Sequence, residues 1–485
     1  MSSETEIRSF RVDMPDEAIA DLRRRIAATR WPTKELVADR SQGVQLATLR
    51  ELARYWATEY DWRACEERLN ALPQFKTGID GEDVHFIHVR SRHENALPLI
   101  ITHGRPGSAI GLLRVIGPLT DPTAHGGSVG DAFDLVLPSV PGYGFSAEPT
   151  EAGWNVGCVA GAWAELMRRL GYDRYVARGG DVGAAVTDAM GRQAPEGLLG
   201  IHMNLLLAGL AGGYPSADPT EAERAALDAI ATFRTSGNGY LIEQNTRPQT
   251  IGYALLDSPV ALAAWVLDHD TEAYYKISRA FLDGQPSGGL TRDQILDNIT
   301  MYWLTGTGAS AARSYWKNTQ AAHAAAGKPR PEVKLPVGFT TFPGEIWRTR
   351  AAGSRRPTPT SPTSTRSTKA ATSPPGRNPN CSRPRSERPS SRCANHSPHW
   401  SCGSAHLARF HMSLRCGNHD TYWRNSHAYH ESPPSSSWRR GRRPRGGCRQ
   451  RRRDHRPECR GGQCRASAEP AWPRAGQDRG VAHRS

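Results

Sequence analysis

A carboxylate flanked by small residues, Gly179-Gly180-Asp181-Val182-Gly183, stands where the short apolar run Tyr175–Ala177 gives way to the helical pattern Ala184–Gln193. A strand that turns at once into a helix needs small residues on both sides of the bend. Such a bend pushes its central side chain into the space above a sheet. The positive end of the following helix favours a negative charge there. Taken alone, the run fits an Asp helix cap on a glycine-rich turn equally well.

The surrounding pattern narrows the choice. Helical periodicity over Asp16–Ala28 and Leu46–Trp56 is followed by loop-like residues Asn70–Phe75, then strands Val84–Val89, Leu97–Thr102 and Asp134–Leu137. Val159–Leu170 reads as an amphipathic helix before the Tyr175 strand. Strands alternating with helices predict an α/β fold with a mostly parallel sheet covered on both faces. Residues from about 210 to 330 are helix-rich, with no clear strand until Val337–Phe342, as expected of a helical lid inserted before the sheet resumes.

Charge divides the chain near Thr349. Residues 350–485 carry 28 Lys and Arg against 7 Asp and Glu, leaving 34 basic and 41 acidic groups upstream. The overall +14 therefore belongs to the tail, and the preceding part is an ordinary acidic protein. The tail has only Leu407, Leu414 and Val481 as branched aliphatic residues, too little apolar surface to offset its ordering entropy, so it is expected to be disordered. Cys65 and Cys158 are the only cysteines before it, which makes no disulfide framework and points to a reducing cytoplasm. The first residues lack the basic start and apolar stretch of a signal peptide, and no run is long enough to span a membrane.

Upstream of Asp181, strand Leu97–Thr102 leads into His103-Gly104-Arg105-Pro106-Gly107-Ser108, and strand Asp134–Leu137 into the turn-rich Pro138–Ser146. Together with these, Arg30-Trp31-Pro32, Asn70-Ala-Leu-Pro-Gln-Phe75 and the lid motifs resemble the microsomal-type epoxide hydrolase family, from about Ser9 to Arg348. The resemblance implies an α/β-hydrolase fold with an N-terminal helical meander: an N-terminal region over 1–95, a core over 96–209, a lid over 210–332 and a resumed core over 333–349. It implies Asp181 as nucleophile, with the backbone N–H groups of Arg105 and Val182 forming an oxyanion hole. The family usually has Trp at both of those positions; both are expected to act mainly through the backbone. His103 is expected to be a buried structural histidine rather than a base.

In the lid, Gly239-Tyr240-Leu241-Ile242-Glu243-Gln244 and Arg313-Ser314-Tyr315 place two tyrosines that, by the resemblance, donate hydrogen bonds to an epoxide oxygen. A phenol of pKa about 10 suits protonation of an alkoxide. Tyr302 and Trp303 are expected to be packing residues, and Trp265 with its apolar neighbours suggests a hydrophobic substrate. Phe342-Pro343-Gly344-Glu345 supplies, by the resemblance, the acid that orients a catalytic histidine. The implied reaction is conversion of an epoxide and water to a diol, in epoxide metabolism and detoxification, without cofactor or metal and with a homodimer left open.

That histidine is absent, because the family's Gly-Gly-His-Phe segment does not occur. Codons for Lys369–Ser373, reread one base earlier, can encode it, and neighbouring tail residues can likewise give Glu-Val-Asp-Lys and Tyr-Pro-Asn. A base lost near the Thr349/Arg350 codons is the expected cause, with the His codon straddling Ala371 and Thr372. Two other readings stand beside this one. A haloalkane dehalogenase shares the Asp nucleophile but needs halide-binding Trp or Asn groups. A nucleic-acid-binding protein would use Arg439–Arg445 and Arg449–Arg453, but out-of-frame reading of a GC-rich gene yields the same composition, so no specific nucleic-acid partner is expected.

Overall fold

The computed structural model describes residues 5–204, 221–284 and 290–340. Glu345, lid residues 210–220 and the tail, with its expected disorder and arginine runs, lie outside the described residues. The strands are β1 (Arg8–Ser9), β2 (Gln74–Ile79), β3 (Glu82–Val89), β4 (Leu97–Thr102), β5 (Phe133–Pro138), β6 (Tyr175–Gly179), β7 (Leu198–Asn204) and β8 (Val337–Thr340). They form one sheet in the order β1-β2-β3-β5-β4-β6-β7-β8. Pairings from β5 through β8 are parallel, while β1, β2 and β3 join antiparallel at one end.

That end differs from the sequence reading. Residues Asn70–Phe75 are a loop only over 71–73: Asn70 closes helix α3 (Trp62–Asn70), and Gln74 and Phe75 begin β2. The strand exists because Asp80 and Gly81 both adopt positive φ, 50° and 81°, and close a tight hairpin onto β3. Buried His85 is consumed by this packing, its ring nitrogens engaged by Ser139 and Gln74. Helices α1 (Asp16–Ala27) and α2 (Leu46–Thr58) bury Ile19, Leu22, Ile26, Leu52 and Trp56 in the larger apolar core.

Helices α4 (Leu113–Thr120), α5 (Val156–Arg169) and α6 (Val182–Gln193) connect the central strands. Fully buried Ile100, Leu135, Val136 and Leu137 show β4 and β5 covered on both faces, as the apolar run of β4 implies. Strand β4 lies between β5 and β6, so the chain leaves it in one direction and returns on its other side. At such a switch point the loops at the carboxyl ends of neighbouring strands part to leave a crevice. Thr102 and Gly179, the last residues of β4 and β6, are register partners, which brings the 103–108 turn beside Asp181.

The segment between β7 and β8 is helical where described: α7 (Glu221–Thr232), α8 (Gly239–Thr246), α9 (Pro248–Asp257), α10 (Pro259–Leu267), α11 (Thr271–Leu282), α12 (Arg292–Leu304) and α13 (Gly308–Ala324). No helix among the described residues is long and apolar enough to cross a membrane.

Candidate active site

Asp181 sits at the β6–α6 bend with φ 54° and ψ −123°, a conformation that L side chains rarely adopt. The glycines around it are required by space. A Cβ on Gly179 would lie 2.0 Å from the Gly183 carbonyl oxygen, and one on Gly183 would lie 2.2 Å from that of Thr102. A Cβ on Gly104 would meet the Asp181 side chain at 2.7 Å. The bend therefore exists only where three backbones approach without side chains.

The Arg105 amide donates to Asp181 Oδ1 at 2.8 Å, and the Val182 amide also donates to the carboxylate. These two N–H groups form an anion cradle around the Asp181 carboxylate. Burial raises the Asp181 pKa above the ordinary carboxylate value, with the two amides and the Arg105 charge opposing it.

The 103–108 turn is held from both sides. His103 Nε2 accepts from the Val140 amide at 3.1 Å and its Nδ1–H donates to the Gly104 carbonyl at 3.0 Å. Burial lowers its pKa to about 4, so His103 is a neutral brace with both nitrogens occupied. From the lid, Asn298 donates to the Pro106 carbonyl and accepts from Ser108, both at 2.8 Å, while the Tyr302 hydroxyl donates to the Gly107 carbonyl at 2.9 Å. Trp303 packs under the Arg25 guanidinium.

Tyr240 on α8 and Tyr315 on α13 close the site from above. Asp181, Tyr240 and Tyr315 each keep some accessible surface. Burial is nevertheless the chief cause raising all three pKa values. Both phenols feel the Asp181 charge, and Tyr315 feels Tyr240 as well. Asp181, Arg105, Val182, Tyr240 and Tyr315 thus form one cluster, and Glu345 lies outside the described residues. Tyr143, from the Pro138–Ser146 turn, hydrogen-bonds Ser314 at 2.7 Å and so ties that turn to the residue before Tyr315.

Residues 7–112 match the family described as "Epoxide hydrolase N terminus". The chain is 49% identical over 344 residues to the "Putative epoxide hydrolase" of Stigmatella aurantiaca, covering 70% of this chain and 75% of that one. The chain belongs to the epoxide hydrolase family. It is also 34% identical to "Epoxide hydrolase 1" of Sus scrofa, over 71% of this chain and 80% of that relative. Among solved structures, the epoxide hydrolase of Aspergillus niger aligns with a TM-score of 0.61 at 28% identity, covering 73% of this chain and 88% of its own. The juvenile hormone epoxide hydrolase of Bombyx mori aligns at 0.63 and 27%, covering 72% and 85%. These likenesses carry the α/β-hydrolase fold with them.

Within this epoxide hydrolase framework one expectation needs correction. Arg105 does more than lend its backbone: its side chain is 5% exposed and turns into the cluster, where Nη1 meets Gln244 Oε1 and, at 3.2 Å, His269 Nε2. Its guanidinium carbon lies 5.4 Å from the centre of the Tyr315 ring. Gln244 and His269 went unremarked as site residues in the sequence. Gln244 closes the Gly239–Gln244 motif, but nothing in the spacing of His269 joins it to Arg105, 164 positions away.

Proposed function

We propose that this chain opens a hydrophobic epoxide by attack of Asp181, forming an alkyl-enzyme ester while Tyr240 and Tyr315 hold and protonate the departing oxygen. The observation that carries this reading is the Asp181 carboxylate, seated in two backbone amides at a strained bend, with both lid phenols raised in pKa first by burial and then by its charge. A carboxylate oxygen supplies the electron pair for the new C–O bond. The ring C–O bond breaks toward the oxygen, which takes a phenolic proton.

The second half-reaction needs water activated by a His–acid pair. Glu345 would orient that histidine, but no histidine follows it in the expected segment, so the ester forms and then hydrolyses slowly. Restoring the frame by one base near codons 349–350 of the gene tests this. The expected result is a vicinal diol from styrene oxide with multiple turnovers, against a single turnover for the chain as it stands. Halide release from a chloroalkane instead of diol formation would assign the dehalogenase reaction. An intact open frame in the gene, with no lost base, would remove the frame explanation. Apolar Trp265 beside Gln244 favours a hydrophobic substrate, and a cytoplasmic location fits the free Cys65 and Cys158, the two cysteines among the described residues.

A further inference from the structure

We propose that the Arg105 side chain is the fixed positive charge of this site, a positioning residue that steadies both phenols and stabilises the negative charge that ring opening moves from Asp181 to the epoxide oxygen. The inference rests on the Asp181 reaction above and adds a group to it.

Three observations carry it. First, Arg105 is a buried cation whose side-chain hydrogen-bond partners are neutral: among the described residues no carboxylate reaches ion-pair distance of its guanidinium, and its buried Nε–H has no partner. An isolated charge in such a place is costly unless something of opposite sign depends on it. Second, its two side-chain partners are held as acceptors. His269 Nδ1–H donates to the Trp265 carbonyl at 2.9 Å, which leaves Nε2 as a lone pair for Arg105. Trp265 Nε1–H donates at 3.0 Å to the same Gln244 oxygen that Arg105 uses. Third, the guanidinium touches the support of each phenol. It lies over the Tyr315 ring, and it hydrogen-bonds His269, whose ring lies 3.9 Å from that of Tyr240 at 32° between planes.

The charge balance follows. At rest the site holds the Arg105 cation and the Asp181 carboxylate. When Asp181 forms its ester it loses its charge, and the negative charge passes to the oxygen and, after proton transfer, to a phenolate. One negative charge remains throughout, and Arg105 stands beside both of its positions. A preorganised cation in a site closed to water stabilises developing charge without reorganising. The other groups facing Asp181 are Tyr240, Tyr315 and Tyr143, whose pKa values burial raises, with neutral His103 and His269 behind them; Asp270 acts on Tyr240. None supplies a second positive charge.

The test uses the full chain and the variants Arg105→Met and Arg105→Lys, which leave the Arg105 amide in place. Alkylation of Asp181 by styrene oxide is followed by peptide mass mapping across a pH series. Asp181 ionisation is followed separately by carboxyl 13C NMR, assigned with Asp181→Asn. The expected result is that Arg105→Met slows plateau alkylation by about 10²-fold and moves both the kinetic midpoint and the NMR midpoint to higher pH, while Arg105→Lys restores the midpoints. If Arg105→Met only lowers the melting temperature and leaves both midpoints unchanged, the side chain is packing and the inference is overturned. If wild type titrates normally by NMR yet no epoxide modifies Asp181, the reaction itself is wrong and the role for Arg105 falls with it.

Discussion

At the residue scale, the account turns on the environment of Asp181. A raised folded-state pKa means that the fold is favoured by the protonated acid. That contribution is fully present below the ordinary carboxylate pKa of about 4 and is lost as pH rises through the raised value. Asp181→Asn is therefore expected to melt above wild type at neutral pH, with the gap closing toward pH ~4, as read by thermal unfolding at several pH values. A lower melting temperature for the variant at neutral pH would mean that the carboxylate is a structural anchor. The phenols make a separate prediction. Tyr315→Phe removes a proton donor while keeping the ring under Arg105, and should slow Asp181 alkylation by about 10²-fold or more without loss of helicity. An unchanged rate in both Tyr315→Phe and Tyr240→Phe would exclude the phenols from the reaction.

At the scale of elements, the site is a consequence of three glycine contacts and one helix. Gly183→Ala would drive a methyl group into the Thr102 carbonyl, 2.2 Å from its Cβ, where neither backbone has room to yield. Overpacking of this kind is expected to cost about 3 kcal/mol, measurable by chemical denaturation, and to abolish alkylation in whatever folds. Helix α12 clamps the 103–108 turn through Asn298 and Tyr302, which is why the lid and that turn are one unit. Much of this was legible. An apolar run gave β4, the short Asp134–Leu137 stretch gave β5, and the Gly-Gly-Asp-Val-Gly bend announced itself by spacing. Strand β2 was not legible from its composition, since Gln74, Lys76 and Gly78 are poor strand residues; pairing on both sides holds it there. The Asp80-Gly81 dipeptide was the signal that could have found it. Strand β7, with Gly200 and His202 inside it, was missed for the same reason: its parallel neighbours supply what its own residues do not.

At the scale of the whole molecule, the sheet order alone explains why residues 76 positions apart meet at 2.8 Å. Arg105 and Asp181 follow strands that are neighbours in space; the strand-to-helix bend pointed to Asp181, and the family resemblance implied Arg105. Neither could place the Arg105 side chain, because its destination is set by lid residues Gln244 and His269, joined to it only by tertiary packing. Substitution at this position reaches three lid elements at once. Among the described cysteines, Cys158 is exposed whereas Cys65 is buried with its pKa pushed up by desolvation, so a thiol adduct in this part of the chain is expected at Cys158. Peptide mapping of the full chain after incubation with styrene oxide separates adducts on any of its nine cysteines from an adduct on the carboxylate. The account predicts an ester-linked adduct on the peptide carrying Asp181, stable over many minutes and absent from Asp181→Asn. An adduct confined to Cys158, with Asp181 unmodified, would contradict it.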